Sequence, residues 1–81
     1  MRVLIVIEKG PAQRILIELH TEELVREISM LVNKGKHSQA MVAALCKGRF
    51  EREVDNHELP GVSADLILTE DSARWDLANK K

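Results

Sequence analysis

Hydrophobic and polar positions along the chain switch between the period of a strand and the period of a helix, and the switches divide it into elements. Val3-Leu4-Ile5-Val6-Ile7 is a continuous β-branched run. With apolar residues on both faces, it predicts a central, buried strand over 2–8. Lys9-Gly10-Pro11-Ala12 supplies turn chemistry. Ile15, Ile17 and Leu19 then alternate with Arg14, Leu16 and Glu18, the period of a second strand over 13–19 that forms a hairpin with the first. A helix at 13–19 is the competing reading, because Glu, Gln, Arg and Leu all tolerate one.

From Thr21 the period lengthens. Thr21 is a suitable N-cap, and Glu22 and Glu23 follow in the first turn, where the helix dipole favours acids. At about 100° per residue, Leu24, Val25, Ile28, Leu31 and Val32 fall within an arc of about 120°. Lys34 lies in the last turn and Gly35 at the C′ position, so a helix is predicted over 22–34. Met30 falls on its otherwise polar face. A second helix, over 39–47, is capped by Ser38 and stopped by Gly48. Its bulky residues Met41, Val42, Leu45 and Cys46 form one stripe. Ala40, Ala43 and Ala44 take the side where a polar face would normally lie.

Alternation returns at 49–55, with Phe50, Arg52 and Val54 on one face and Glu51, Glu53 and Asp55 on the other. That pattern predicts a half-exposed strand with an acidic, edge-protecting row. Pro60-Gly61 marks a loop, and Ala-Asp-Leu-Ile-Leu-Thr predicts a strand over 64–69. Asp71 or Ser72 is a candidate cap for a short helical turn over 72–78, carrying Trp75 and Leu77. The expected fold is α+β. It has the order ββααββ(α), with a four-stranded, mostly antiparallel sheet and two consecutive helices packed on one face.

Composition narrows this picture. Eighty-one residues make one domain, and a chain of this length buries only about 60–65% of its unfolded surface. Phe50 and Trp75 are the only aromatics, so the core is aliphatic. A lone cysteine allows no internal disulfide and suits a reducing compartment. The first apolar run stops at Glu8, short of a signal-peptide core, and nothing approaches a membrane span. A cytoplasmic location is expected. Residues 1–50 carry eight Lys/Arg against five Asp/Glu, a net of +3; residues 51–81 carry four against eight, a net of −4. Two parts of opposite sign can attract each other within one domain or between two copies.

Candidate chemistry is sparse. Cys46 sits near a helix C-terminus, where the dipole disfavours a thiolate, among apolar neighbours; it reads as a buried small apolar residue. His20, His37, His57 and Cys46 lack metal-ligand spacing, so no metal site is expected. Glu51, Glu53, Asp55 and Glu58 could supply a carboxylate pair, but a row on a strand suits solubility better than catalysis. The four glycines are isolated at element boundaries, which leaves no phosphate-cradling loop. No catalytic residue and no cofactor is expected.

Two binding surfaces come into view. Lys34, Lys36, His37, Lys47, Arg49 and Arg52 flank the second helix in two groups about 12 Å apart, a spacing that could track phosphates. Against nucleic acid, the helix between them offers only Gln39 to read base edges, and Phe50 is the sole stacking platform nearby. The favoured surface is a protein interface. A short helix that is apolar almost all round must be buried on every side or covered by a partner. Met30, Ala40, Met41, Ala43, Ala44 and Trp75 are its candidate residues. The competing reading has the segment around Trp75 and Leu77 folding back over the helix. The expected function is therefore non-enzymatic: a protein-binding module, a small regulator or inhibitor, with a homodimer as one form of the interaction. Stand-alone domains of this size are common among accessory proteins of mobile elements, though no residue shows such an origin.

Overall fold

The apolar run at the N-terminus forms the centre of the molecule. The computed structural model describes residues 2–10, 13–55 and 63–75. Strand β1 (Val3–Glu8) is the middle strand of a five-stranded mixed sheet. It pairs antiparallel with β2 (Gln13–Leu19), which pairs antiparallel with β3 (Arg49–Asp55) at one edge. On its other side β1 pairs in parallel with β4 (Leu66–Leu68), and β4 pairs antiparallel with β5 (Ala73–Trp75). The spatial order is β3-β2-β1-β4-β5.

Both faces of β1 are covered with apolar atoms, as its composition requires. Ile5 and Ile7 join Ile17, Leu19, Leu66 and Leu68 beneath the two helices, while Val6 meets Leu16 and Ala64 on the opposite side. Helices α1 (Glu22–Asn33) and α2 (His37–Lys47) pack against the first of these faces through Leu24, Ile28, Ala40, Met41 and Ala44. Each fully buried Ile or Leu contributes about 1.5–3 kcal/mol of transfer free energy.

The ends of α1 follow its sequence closely. Thr21 Oγ1 accepts from the Leu24 amide at 3.1 Å, satisfying one of the helix's orphan N–H groups. At the other end Gly35 has φ +73°, the left-handed conformation that only glycine adopts without strain. Its amide donates to the Val32 carbonyl, and the Lys36 amide to the Leu31 carbonyl, closing a Schellman motif.

Three features depart from the sequence expectation. The sheet has five mixed strands instead of four mostly antiparallel ones, because Asp65 steers the chain alongside β1. The Asp65 amide donates to the Leu4 carbonyl at 2.7 Å, and Asp65 Oδ2 accepts from the Leu4 amide at 3.1 Å. That clamp sets the parallel register Ile5–Leu66 and Ile7–Leu68. The helical turn expected over 72–78 is instead, in its described part, strand β5. Ser72 does not cap a helix; its amide donates to Thr69 Oγ1 and its carbonyl accepts from the Thr69 amide at 2.8 Å, closing a hairpin. An open edge on β4 offers Ala73–Trp75 a ladder, which outweighs their local preference. Leu77 lies outside the described residues. Finally, α2 begins at His37, with Lys36 as its N-cap and no side-chain capping bond; Ser38 lies inside the helix.

Candidate functional site on the helical face

The second helix decides where apolar surface is exposed. Ala40 and Ala44, four residues apart, point into the core and are fully buried; Met41 is 7% exposed. Gly48 continues the same ridge one turn further on. A Cβ built on Gly48 would collide with the Ile17 side chain and come within 2.6 Å of the Ala44 carbonyl oxygen. Small residues at 40, 44 and 48 thus let the end of α2 lie directly on β2, which is why the alanine side faces inward.

The bulky side is left outside. Val42 is 60% exposed, Leu45 38% exposed, and Cys46 is also exposed, correcting the expectation that its thiol is buried. Ala43 is half-buried and turned toward the core cluster. From α1, Met30 reaches solvent at 53%, as its place on the polar face predicts. Of the six expected interface residues, Met30 is therefore on the surface, Ala43 is at the helix–helix seam, and Ala40, Met41 and Ala44 are core. Trp75 is half-buried on β5, opposite Leu66, and packs against the helix-side core. The sequence pattern did not single out Val42 and Leu45 as surface; the small-residue spacing 40-44-48 was the signal that would have done so.

A shallow groove of about 600 Å³ runs between the helices, lined by Leu31, Val42, Ala43 and Cys46, with Ser38 and Gln39 at one end and Glu27 and Lys47 at the other. Through Glu27 and Leu31 it joins a second concavity of about 370 Å³ along α1, bounded by Glu23, Arg26, Met30, Lys34 and Lys36. Lys47 Nζ donates to Glu27 at 2.9 Å, tying α2 to α1 across the rim. The walls are aliphatic and the rim is charged. Such a surface can bind by burying apolar atoms at its centre and matching charge at its edge.

The basic residues do not converge. Lys34, Lys36 and His37 lie around the start of α2; Lys47 is its last residue and Arg49 the first of β3, about 15 Å away along the helix. Lys47 is engaged by Glu27, and Arg49 Nη1 lies 3.8 Å from Glu18 Oε1. Arg52 stands opposite Leu16, on the face of the sheet away from the helices.

The acidic row of β3 is also broken up. Pairing passes from Leu16–Arg52 to Ile17–Phe50, which makes Glu51 the extra residue of a β-bulge. Phe50, 60% exposed, therefore leaves the face it was expected to share with Arg52 and Val54. Arg2 bridges strands by donating to Glu18 at 2.9 Å and to Glu51. These carboxylates, Glu51 foremost, raise the Arg2 guanidinium pKa above its ordinary, strongly basic value. Glu18 itself is buried, with Arg2 and Arg49 supplying the charge that its burial needs. Among the described residues no three His, Cys, Asp or Glu side chains gather in a metal-binding arrangement. No described helix is long and apolar enough to cross a membrane. His57 and Glu58 lie outside the described residues.

Comparison with protein-family models, curated proteins and solved structures finds no match. The fold class is thus the extent of the classification, and the surface chemistry carries the functional reading.

Proposed function

We propose that this chain is a non-enzymatic protein-binding module whose docking surface is the outer face of α1 and α2. The observation that carries the reading is the exposure of Val42 on α2 and Met30 on α1, each lining one of two joined concavities, while the inward side of α2 is already filled by Ala40 and Ala44. The close approach of α2 to β2 places small residues on the inner side at 40, 44 and 48, and Val42 in water gains little of the transfer free energy that full burial would supply. The arrangement makes sense when the branched side is covered in use. A module this small acts by occupying a partner's surface, as a regulator or inhibitor does, and a cytoplasmic setting suits its exposed thiol.

The reading is tested by placing a photo-cross-linking amino acid at position 42, or at position 52 on the opposite face, in the source cells. A covalent adduct with another protein at 42, absent at 52 and reduced by Met30→Glu, supports it. Equal labelling at both positions, or adducts at 52 alone, refutes it. The nucleic-acid alternative rests on phosphate contacts, which are strongest at low salt; a salt titration against mixed-sequence DNA and RNA separates it from the first.

A further inference from the structure

The charges along the groove run in opposite senses at its two ends. Glu23 borders one end of the α1 concavity and Lys34 and Lys36 the other, with Arg26, Glu27, Met30 and Leu31 between them. Glu23 and Lys34 are eleven residues apart, about 16 Å along the helix. Neighbouring charges on this face are used within the chain: Glu27 holds Lys47, and Glu22 lies 3.9 Å from Arg26. Among the described residues, Glu23, Lys34 and Lys36 have no ion-pair partner.

A strip with an unpaired acid at one end, unpaired bases at the other and, between them, Met30 and Leu31 beside the internally paired Arg26 and Glu27 is complementary to itself when reversed. We propose that the occupant of this face is a second copy of the chain, related by a two-fold axis that crosses α1 between Glu27 and Met30. The proposal rests on the docking reading above and supplies its partner. The two α1 helices run antiparallel, so Glu23 of each copy meets Lys34 of the other, twice per dimer. Met30 of each copy enters the groove beside Leu31 and Val42 of the other. An isologous contact of this kind closes on itself and does not propagate into filaments.

Sedimentation equilibrium of the purified chain, from low-micromolar to sub-millimolar concentration, tests the proposal. The wild type is expected to be a dimer and Val42→Glu a monomer that keeps its far-ultraviolet circular dichroism. Glu23→Lys and Lys34→Glu should each raise the dissociation constant by roughly three- to tenfold, since each places like charges together at two sites. The double swap should restore affinity, because the acid and the base have merely exchanged places. Both substitutions oppose the α1 dipole, so damage to the helix would accumulate in the double variant, whereas an interface effect cancels.

A monomeric wild type overturns the proposal, as does a dimer that survives Val42→Glu or a double swap weaker than either single. The docking reading fails separately. If the wild type is monomeric but position 42 still cross-links to a different protein, the face is an interface and the second copy is the wrong occupant. If both measurements are negative, both ideas fall.

Discussion

Substituting glutamate at Ala44 and at Val42, two residues apart on one helix, should have opposite consequences. Ala44 is fully buried against the sheet, so a glutamate there has neither water nor a counter-charge. At pH 7 it must take up a proton. Raising its pKa from about 4.3 to 7 costs about 3.7 kcal/mol at about 1.4 kcal/mol per unit. Forcing the longer side chain into a filled space adds about 1–3 kcal/mol. The total, about 5–7 kcal/mol, is comparable to the whole stability expected of an 81-residue domain, about 4–12 kcal/mol. Because the folded-state pKa is raised, the penalty is largest at high pH and shrinks as pH falls toward 4.3. Val42 is 60% exposed, so its replacement by glutamate forfeits less than about 1 kcal/mol of burial and leaves the charge in water. Urea denaturation at pH 7, followed by circular dichroism at the lowest usable protein concentration, keeps self-association out of the comparison. Ala44→Glu should be largely unfolded without urea and Val42→Glu should unfold near the wild-type midpoint. A folded Ala44→Glu, or equal losses in both variants, would show that α2 is rotated from the orientation described.

Further tests address the joints of the fold. Gly48→Ala should cost about 1–3 kcal/mol by pushing the end of α2 off β2, seen as a lower thermal midpoint; an unchanged midpoint would mean that the close approach is absent. Gly35→Ala should cost about 1–2 kcal/mol, because φ is +73° there, and Gly35→Asn less; equal losses would point away from the left-handed cap. Thr21→Ala should cost about 1 kcal/mol and Thr21→Asn almost nothing, with urea midpoints deciding. Arg2→Ala should lower the urea midpoint slightly and by the same amount at neutral pH and at about pH 10. The Arg2 pKa is raised above its ordinary, strongly basic value, so the guanidinium is charged in both states at neutral pH and at about pH 10 and its contribution is fully present at both. A loss confined to neutral pH would indicate that another group is responsible.

Elements governed by local physics were legible in the chain. The alternation at 13–19 and 49–55 gave strands with the observed ends, and Thr21 and Gly35 marked the limits of α1 because cap geometry depends on a few adjacent residues. Features governed by distant partners were not. Ala73–Trp75 carries a helix-compatible pattern but becomes a strand because β4, remote in sequence from β1, leaves a ladder open beside it. The bulge at Glu51 interrupts an alternation that looks unbroken in sequence, moving Phe50 to the helix side of the sheet. The lack of a polar face on α2 was correctly marked as unusual, but which apolar side faced inward depended on the closeness of β2. Volume, not hydrophobicity, decided that: Ala40 and Ala44 are fully buried against the sheet, and at Gly48, one turn on, even a Cβ would collide with Ile17. For the same reason Ala40, Met41 and Ala44 moved from candidate interface to core, while Val42 and Leu45 took their place at the surface.

Methyl NMR offers the most direct test of the outer helical face as a docking surface, because Met30, Leu31, Val42 and Leu45 all carry methyl groups. Spectra of the labelled chain would be recorded on dilution and again in unlabelled extract of the source cells. Shifts or broadening should centre on those four residues in at least one series, while Val6, Leu16 and Val54 on the opposite side of the sheet stay constant. Changes at Val6, Leu16 and Val54 instead, or no change in either series, would contradict the account.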